Sequence, residues 1–272
     1  MLPPRGVELP VVVEVPHAGL LVDAICLSTL LVSARALARD ADLFVDELVP
    51  EVTEVGATVL IARTSRYFID LNRRDDEVDR HAVEGGLGHE APHGLIWHRA
   101  TDGERALAAP LPRCELERRL DLIYRPYHAT LQRLLDEKRK RFGHVILVCA
   151  HSMPSHGLSF TTGKEVARAD VVPGTRGKTS AAAPVIETVD RFARAFGFTV
   201  KHDDPYRGGY STQHYGAPAR GVHAVQIEVA RRLYMHESTL HRDPDGIARL
   251  RRFYRELALR LGGLIQPVSV RR

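Results

Sequence analysis

His144-Val-Ile-Leu-Val-Cys-Ala-His151 is the stretch whose reading decides the fold. Residues 144–149 read as a strand, since 145–149 form a short apolar run, the signature of burial on both faces. Upstream, residues 113–140 repeat Leu116, Leu120, Ile123, Tyr127, Leu131 and Leu134 at intervals of three and four, which is a helix. Pro126 sits inside it and should kink it or split it. The same alternation extends outward. Residues 9–15, 57–62, 67–71, 198–201 and 223–229 read as strands. Residues 42–55, with Val45, Leu48, Val49 and Val52 on one face, read as a helix, as do 184–196 and 247–261. Residues 81–103 read as a surface excursion, 152–177 as a loop with one short strand at 170–172, and 203–220 as a loop. Strand and helix alternate throughout, and the expectation is one layered α/β domain over residues 1–272.

Composition narrows the function classes. Hydrophobic residues make up 44% and charged residues 26% of 272 residues, ordinary values for a globular protein. The net charge of +4 is modest. Its arginines are dispersed without a stacking-aromatic motif, so no nucleic-acid partner is expected. A small anionic substrate suits a locally positive pocket. No stretch approaches the ~18 apolar residues of a membrane span. Cys26, Cys114 and Cys149 form no Cys-x-x-Cys pair, which points away from a disulfide framework and from a thiolate zinc site. A reducing cytoplasm is the expected location. Oligomeric state has no signature here.

Three polar residues end apolar runs. His17 follows residues 11–15, His151 follows 145–149, and Glu228 lies in His223-Ala-Val-Gln-Ile-Glu-Val229. Ligand sites in open α/β folds gather at the carboxyl ends of strands. Two imidazoles and a carboxylate there make a set that can hold a catalytic zinc, which keeps one position open. Singly, each histidine is as well explained by a surface or core role. Asp42 and Asp46, four apart, are candidate carboxylate ligands, and spacing does not separate a ligand from a helix cap at Asp42. Alternation puts Gln226 and Glu228 on one strand face. That face is either solvated or a dry cleft in which Glu228 is a general base. Arg66, Asn72 and Arg73 punctuate the apolar residues 65–74; guanidinium forks suit a carboxylate, and surface ion pairs are the alternative. Residues 206–212 form an aromatic, hydroxyl-bearing loop. Tyr210 and Thr212 are its candidate substrate contacts, and a plain connection explains it equally.

The ordered blocks resemble the N-formylglutamate amidohydrolase family. They are Val-Pro-His-Ala-Gly (15–19), Asp42, Ser-Arg-Tyr-Phe-Ile-Asp-Leu-Asn-Arg (65–73), Gly-Leu-Ile-Trp (94–97), Tyr-Arg-Pro-Tyr-His (124–128) and His-Ser-Met-Pro (151–154). Pro-Tyr-Arg-Gly-Gly-Tyr-Ser-Thr (205–212) and Val-Gln-Ile-Glu-Val-Ala-Arg-Arg-Leu-Tyr-Met (225–235) complete the set. The resemblance implies a zinc-exopeptidase-like fold, with a mixed, mainly parallel sheet flanked by helices. It implies one zinc ion on His17, Asp42 (with Asp46 in reserve) and His151, and Glu228 as general base. It also implies Asn72 and Arg73, with Arg66 nearby, on the substrate α-carboxylate, and removal of formyl from an N-formyl amino acid, foremost N-formyl-L-glutamate. Hydrolysis of another N-acyl amino acid or of a C-terminal peptide bond is a neighbouring reading. A carboxylate-binding protein with a decayed metal site is the non-enzymatic one. Two positions depart from the pattern: Cys149 and Thr175 stand where the family usually has Asp.

Overall fold

Strand formation follows the apolar runs closely. In a computed structural model of the chain, which describes residues 1–86, 90–158 and 163–264, β1 (Val11–Val15), β3 (Val145–Met153) and β7 (Val222–Ala230) lie side by side. Nearly every residue in them is buried, as central strands covered on both faces require. β2 (Thr58–Ile61) and β6 (Val171–Gly174) complete a sheet of order β2-β1-β3-β7-β6. β1 pairs β3, and β3 pairs β7, in parallel; β6 closes the edge antiparallel to β7. The sheet is therefore mixed and mainly parallel. Two small hairpins stand apart from it: β4 (His156–Leu158) with β5 (Glu165–Ala167), and β8 (Met235–His236) with β9 (His241–Arg242).

The chain separates into two compact units. The first comprises residues 1–15, 44–60 and 133–272, the second 16–43 and 61–132. The first holds the sheet together with α3 (Val45–Leu48), α6 (Ala183–Ala195) and α8 (Pro244–Gly262). α8 begins with Asp243 accepting from the Asp245 and Gly246 amides, and Pro244 occupies its first turn. Its buried stripe of Ile247, Leu250, Phe253, Leu257 and Leu261 recurs at helical spacing, and Phe253 stacks on Phe192 of α6 at 5.4 Å between centroids. α7 (Tyr210–Tyr215) interrupts the 203–220 loop.

The second unit holds α1 (Ala24–Thr29), α2 (Ala34–Asp40) and α4 (Arg113–Arg119). A π-helical turn, Leu120–Tyr124, separates α4 from α5 (Arg125–Phe142). Pro126 lacks the N–H that would continue the ladder, and the helix shifts register one turn before it. Arg119, fully buried, donates to Glu115 at 2.8 Å and to the Phe68 carbonyl at 2.8 Å. It thereby pins residues 65–74 to α4.

Several expectations are corrected. The helix expected over 42–55 is only α3 followed by a 3-10 turn, Pro50–Thr53. The four valines and leucines do align, but Pro50 cannot extend α3. Residues 67–71 form turns rather than a strand, with their backbone held by Leu95 and Arg119. Residues 81–103, described apart from 87–89, are no surface excursion: Val83, Leu95, Ile96 and Trp97 are buried. The strand expected at 198–201 is reduced to a single bridge, Val171 to Val200.

Candidate metal and substrate site

β3 and β7 run parallel in a register that sets His151 opposite Glu228. Residues opposed in this way project to the same side of the sheet, so the pairing itself brings an imidazole and a carboxylate together. Both are buried, His151 at 3% and Glu228 at 5% exposure, which removes the solvated-face reading. Gln226, two residues earlier on that face, donates Nε2–H to Glu228 Oε1 at 2.8 Å. Its own Oε1 accepts from the Gly209 amide at 2.9 Å. Glu228 is thus a buried carboxylate held by an amide that is itself held. The sequence alone gives Gln226 no role beyond its place on the Glu228 face; its two bonds appear only in the structure.

His17 follows β1 after Pro16 and is 4% exposed. Its Nε2 lies 2.7 Å from Asp70 Oδ1, and its Nδ1 lies 3.7 Å from Asp42 Oδ2. The Asp42 amide donates to the His17 carbonyl at 3.0 Å. Asp42 lies between α2, which ends at Asp40, and α3, whose N-cap is Phe44. It caps neither helix, so the cap alternative falls. Asp46 lies on α3, half-buried.

Asp70 has no earlier assignment, and its signal was an acidic residue within an apolar run. Its carboxylate accepts from His17, from Trp97 Nε1 at 2.9 Å and from the Asn72 amide at 2.9 Å. Burial opposes its ionisation. Its pairing with His17, with Arg66 and Arg73 nearby, outweighs that and holds it below the usual carboxylate range. A carboxylate that accepts Nε2–H fixes the imidazole tautomer and leaves the lone pair on Nδ1.

One ligand atom from each of His17, Asp42 and His151 lies within 4.8 Å of the others. Two imidazoles and one carboxylate, all buried, fit a divalent metal ion with a position left for a further ligand.

The substrate-side candidates divide. Arg66 contacts His17 Nδ1, donates to the Asp40 carbonyl at 3.2 Å and lies over the Trp97 ring at 4.8 Å. It stands beside the candidate metal position. Asn72 is buried. Arg73 is partly exposed and faces Glu77 at 3.6 Å. Thr212 is buried, and its hydroxyl donates to the Gly209 carbonyl at 2.8 Å, which shapes the turn into α7. Tyr210 is half-buried and stacks on His214 at 4.8 Å.

The two departures from the family pattern have local answers. Cys149 is fully buried opposite Glu14 of β1, also fully buried, and burial and the Glu14 carboxylate keep its thiol protonated. A carboxylate on this side of the sheet therefore comes from β1. Thr175 donates its amide to Asp203 at 2.7 Å and its hydroxyl at 3.1 Å.

The family model for N-formylglutamate amidohydrolase matches residues 9–235. An N-formylglutamate deformylase of Pseudomonas putida is 36% identical over 234 residues, 85% of this chain and 84% of that protein. One from Pseudomonas aeruginosa is 34% identical over 239 residues, 86% of this chain and 84% of its own. A crystal structure of N-formylglutamate amidohydrolase from Ralstonia eutropha JMP134 is similar with a TM-score of 0.86 and 32% identity, covering 96% of this chain and 98% of that one. A protein of Agrobacterium tumefaciens shares the fold at a TM-score of 0.66 and 19% identity, over 94% of this chain and 91% of its own.

Proposed function

Since the chain belongs to the N-formylglutamate amidohydrolase family, we propose that it hydrolyses N-formyl-L-glutamate to formate and glutamate, with one zinc ion on His17, Asp42 and His151. The reaction adds water across a linear amide: the C–N bond of the formamide breaks, hydroxyl goes to the formyl carbon and a proton to nitrogen. Zinc, when bound, supplies Lewis acidity toward the carbonyl group and toward water.

The chain's own residues do the rest. Glu228 accepts the proton of the attacking water and returns it to the leaving amine. Gln226 holds one Glu228 oxygen and so fixes the orientation of the carboxylate. Asp70 holds His17 in the tautomer that offers Nδ1. Arg66, Asn72 and Arg73 take the α-carboxylate, with a guanidinium fork matched to two oxygens. Tyr210 and Thr212, in and beside the turn that Gln226 anchors, belong to the substrate side.

The observation that carries this reading is the buried His17, Asp42 and His151 group combined with Glu228 in register beside His151. A cytoplasmic location is part of the proposal; Cys26, Cys114 and Cys149 are free thiols, as a reducing compartment maintains them. Among the described residues no helix is long and apolar enough to cross a membrane. Formate release from N-formyl-L-glutamate, abolished by a chelator and restored by zinc, is the expected result. Turnover indifferent to exhaustive chelation contradicts the metal; absence of turnover on N-formyl amino acids by the zinc-loaded protein contradicts the reaction.

A further inference from the structure

The sheet edge beyond Glu228 carries cations that the reaction just described does not use. β6 sets Val172 opposite Glu228 and Gly174 opposite Gln226. Two residues past Gly174, Arg176 is half-buried and holds a φ of 54°, a left-handed conformation that costs any residue with a Cβ. The surroundings enforce it. Asp203 accepts from the Thr175 amide at 2.7 Å and the Gly177 amide at 2.9 Å, on either side of Arg176. The Arg176 amide donates to the Arg207 carbonyl at 2.8 Å, and its guanidinium donates Nη1–H to the Gly208 carbonyl at 3.1 Å. Gly174 makes this approach possible, since a Cβ there would meet the Gly208 nitrogen at 2.6 Å. The next amide, that of Gly209, is the one bonded to Gln226, which bonds Glu228. The Arg176 guanidinium therefore rests one peptide unit from the group that holds the base.

Arg207 reaches the same turn from the facing loop, its Nη2 3.5 Å from where a Gly177 Cβ would stand. Among the described residues neither arginine forms an ion pair, and Asp203 is engaged by Thr175 and Gly177. Arg176, fixed in a left-handed conformation, and Arg207 at the same turn bring two guanidiniums to one loop whose nearest carboxylate, Asp203, is spent on the backbone and hydroxyl of residues 175 and 177, an arrangement that suits an external anion.

We infer that Arg176, supported by Arg207, binds the side-chain carboxylate of the N-formyl amino acid and makes the enzyme select an acidic side chain. This rests on the hydrolytic reading above, in which Arg66, Asn72 and Arg73 take only the α-carboxylate. A purely structural alternative gives Arg176 the single task of holding Gly208.

N-formyl-L-glutamate and N-formyl-L-glutamine differ only in carboxylate against amide, so the ratio of their kcat/KM values separates the two roles. Arg176→Met is expected to lower that ratio about 10- to 100-fold, mainly through KM for the glutamate substrate, the range for loss of a hydrogen bond to a charged group. Arg176→Gln keeps an amide donor for the Gly208 carbonyl without the charge, and is expected to lower the ratio similarly. It also secures the test should the methionine variant fail to fold. Arg176→Lys is expected to fall between. An unchanged ratio in a folded variant, with both substrates slowed equally, overturns the inference and leaves the hydrolytic reading standing. Formate release from neither substrate by the zinc-loaded wild-type protein removes both.

Discussion

Asp70→Asn is the substitution whose consequences the geometry specifies most fully. Asp70 Oδ1 accepts from His17 Nε2 and the Asn72 amide, and Oδ2 accepts from Trp97 Nε1. Asparagine keeps the shape but offers one acceptor oxygen and one donor amine. The rotamer that keeps the oxygen on His17 and Asn72 loses one bond, and it sets the new amine against the Trp97 N–H. The opposite rotamer orphans two donors, so the first is expected. Leaving the buried Trp97 donor without an acceptor costs about 1–3 kcal/mol, and urea unfolding reads that directly. Trp97→Phe removes the offending donor. In that background Asp70→Asn should be less costly by about 1 kcal/mol or more, a coupling resolvable by a double-mutant cycle. The asparagine oxygen still accepts from His17 Nε2 but without its full charge, so zinc affinity should fall about 10- to 100-fold, the usual effect of altering a carboxylate behind a metal-bound imidazole. Chelator competition measures this without recourse to turnover. Wild-type zinc affinity in Asp70→Asn, or strict additivity with Trp97→Phe, refutes the role given to Asp70.

Gln226→Leu removes both the donor to Glu228 Oε1 and the acceptor for the Gly209 amide; kcat should fall about 10- to 100-fold with zinc content unchanged, and wild-type kcat contradicts the positioning role. His223 is buried, and burial together with His144 pushes its pKa down to about 4. Its unfolded value is about 6.5. As pH falls through this window the unfolded chain takes up a proton that the folded one resists. The contribution is therefore intact above about pH 6.5 and drains by about 3 kcal/mol at most as pH reaches about 4. His223→Asn keeps an acceptor for the Ala182 amide, which His223 Nδ1 now binds at 3.2 Å, and should flatten that part of the stability profile. An unaltered slope rules out His223 as its source.

What the sequence discloses depends on how many forces act on each segment. β1, β3 and β7 were legible because hydrophobic burial on both faces writes a continuous apolar run. The end of β3 was not, because His151 and Ser152 interrupt the run while the backbone ladder continues to Met153. The short hairpins and α7 lack a periodic apolar face. Residues 67–71 look like a strand, yet the buried Arg119 and the Leu95 carbonyl satisfy their backbone groups. That information sits far away in sequence. The site shows the same division. His17, His151 and Glu228 declared themselves by ending or punctuating strands. The choice between cap and ligand at Asp42 required the position of α3, which Pro50 shortens. Asp70 and Arg176 gain their meaning from Trp97, Gly208 and Asp203, none of which is a neighbour in the chain.

The zinc retained per chain after dialysis, compared between His151→Ala and Glu228→Gln, tests the central claim most directly. Glu228→Gln should keep one equivalent while releasing formate about 10²- to 10⁴-fold more slowly, the contribution of a lost general base. His151→Ala should keep none. A His151→Ala protein that holds zinc as the wild type does, or a Glu228→Gln protein with undiminished turnover, contradicts the account.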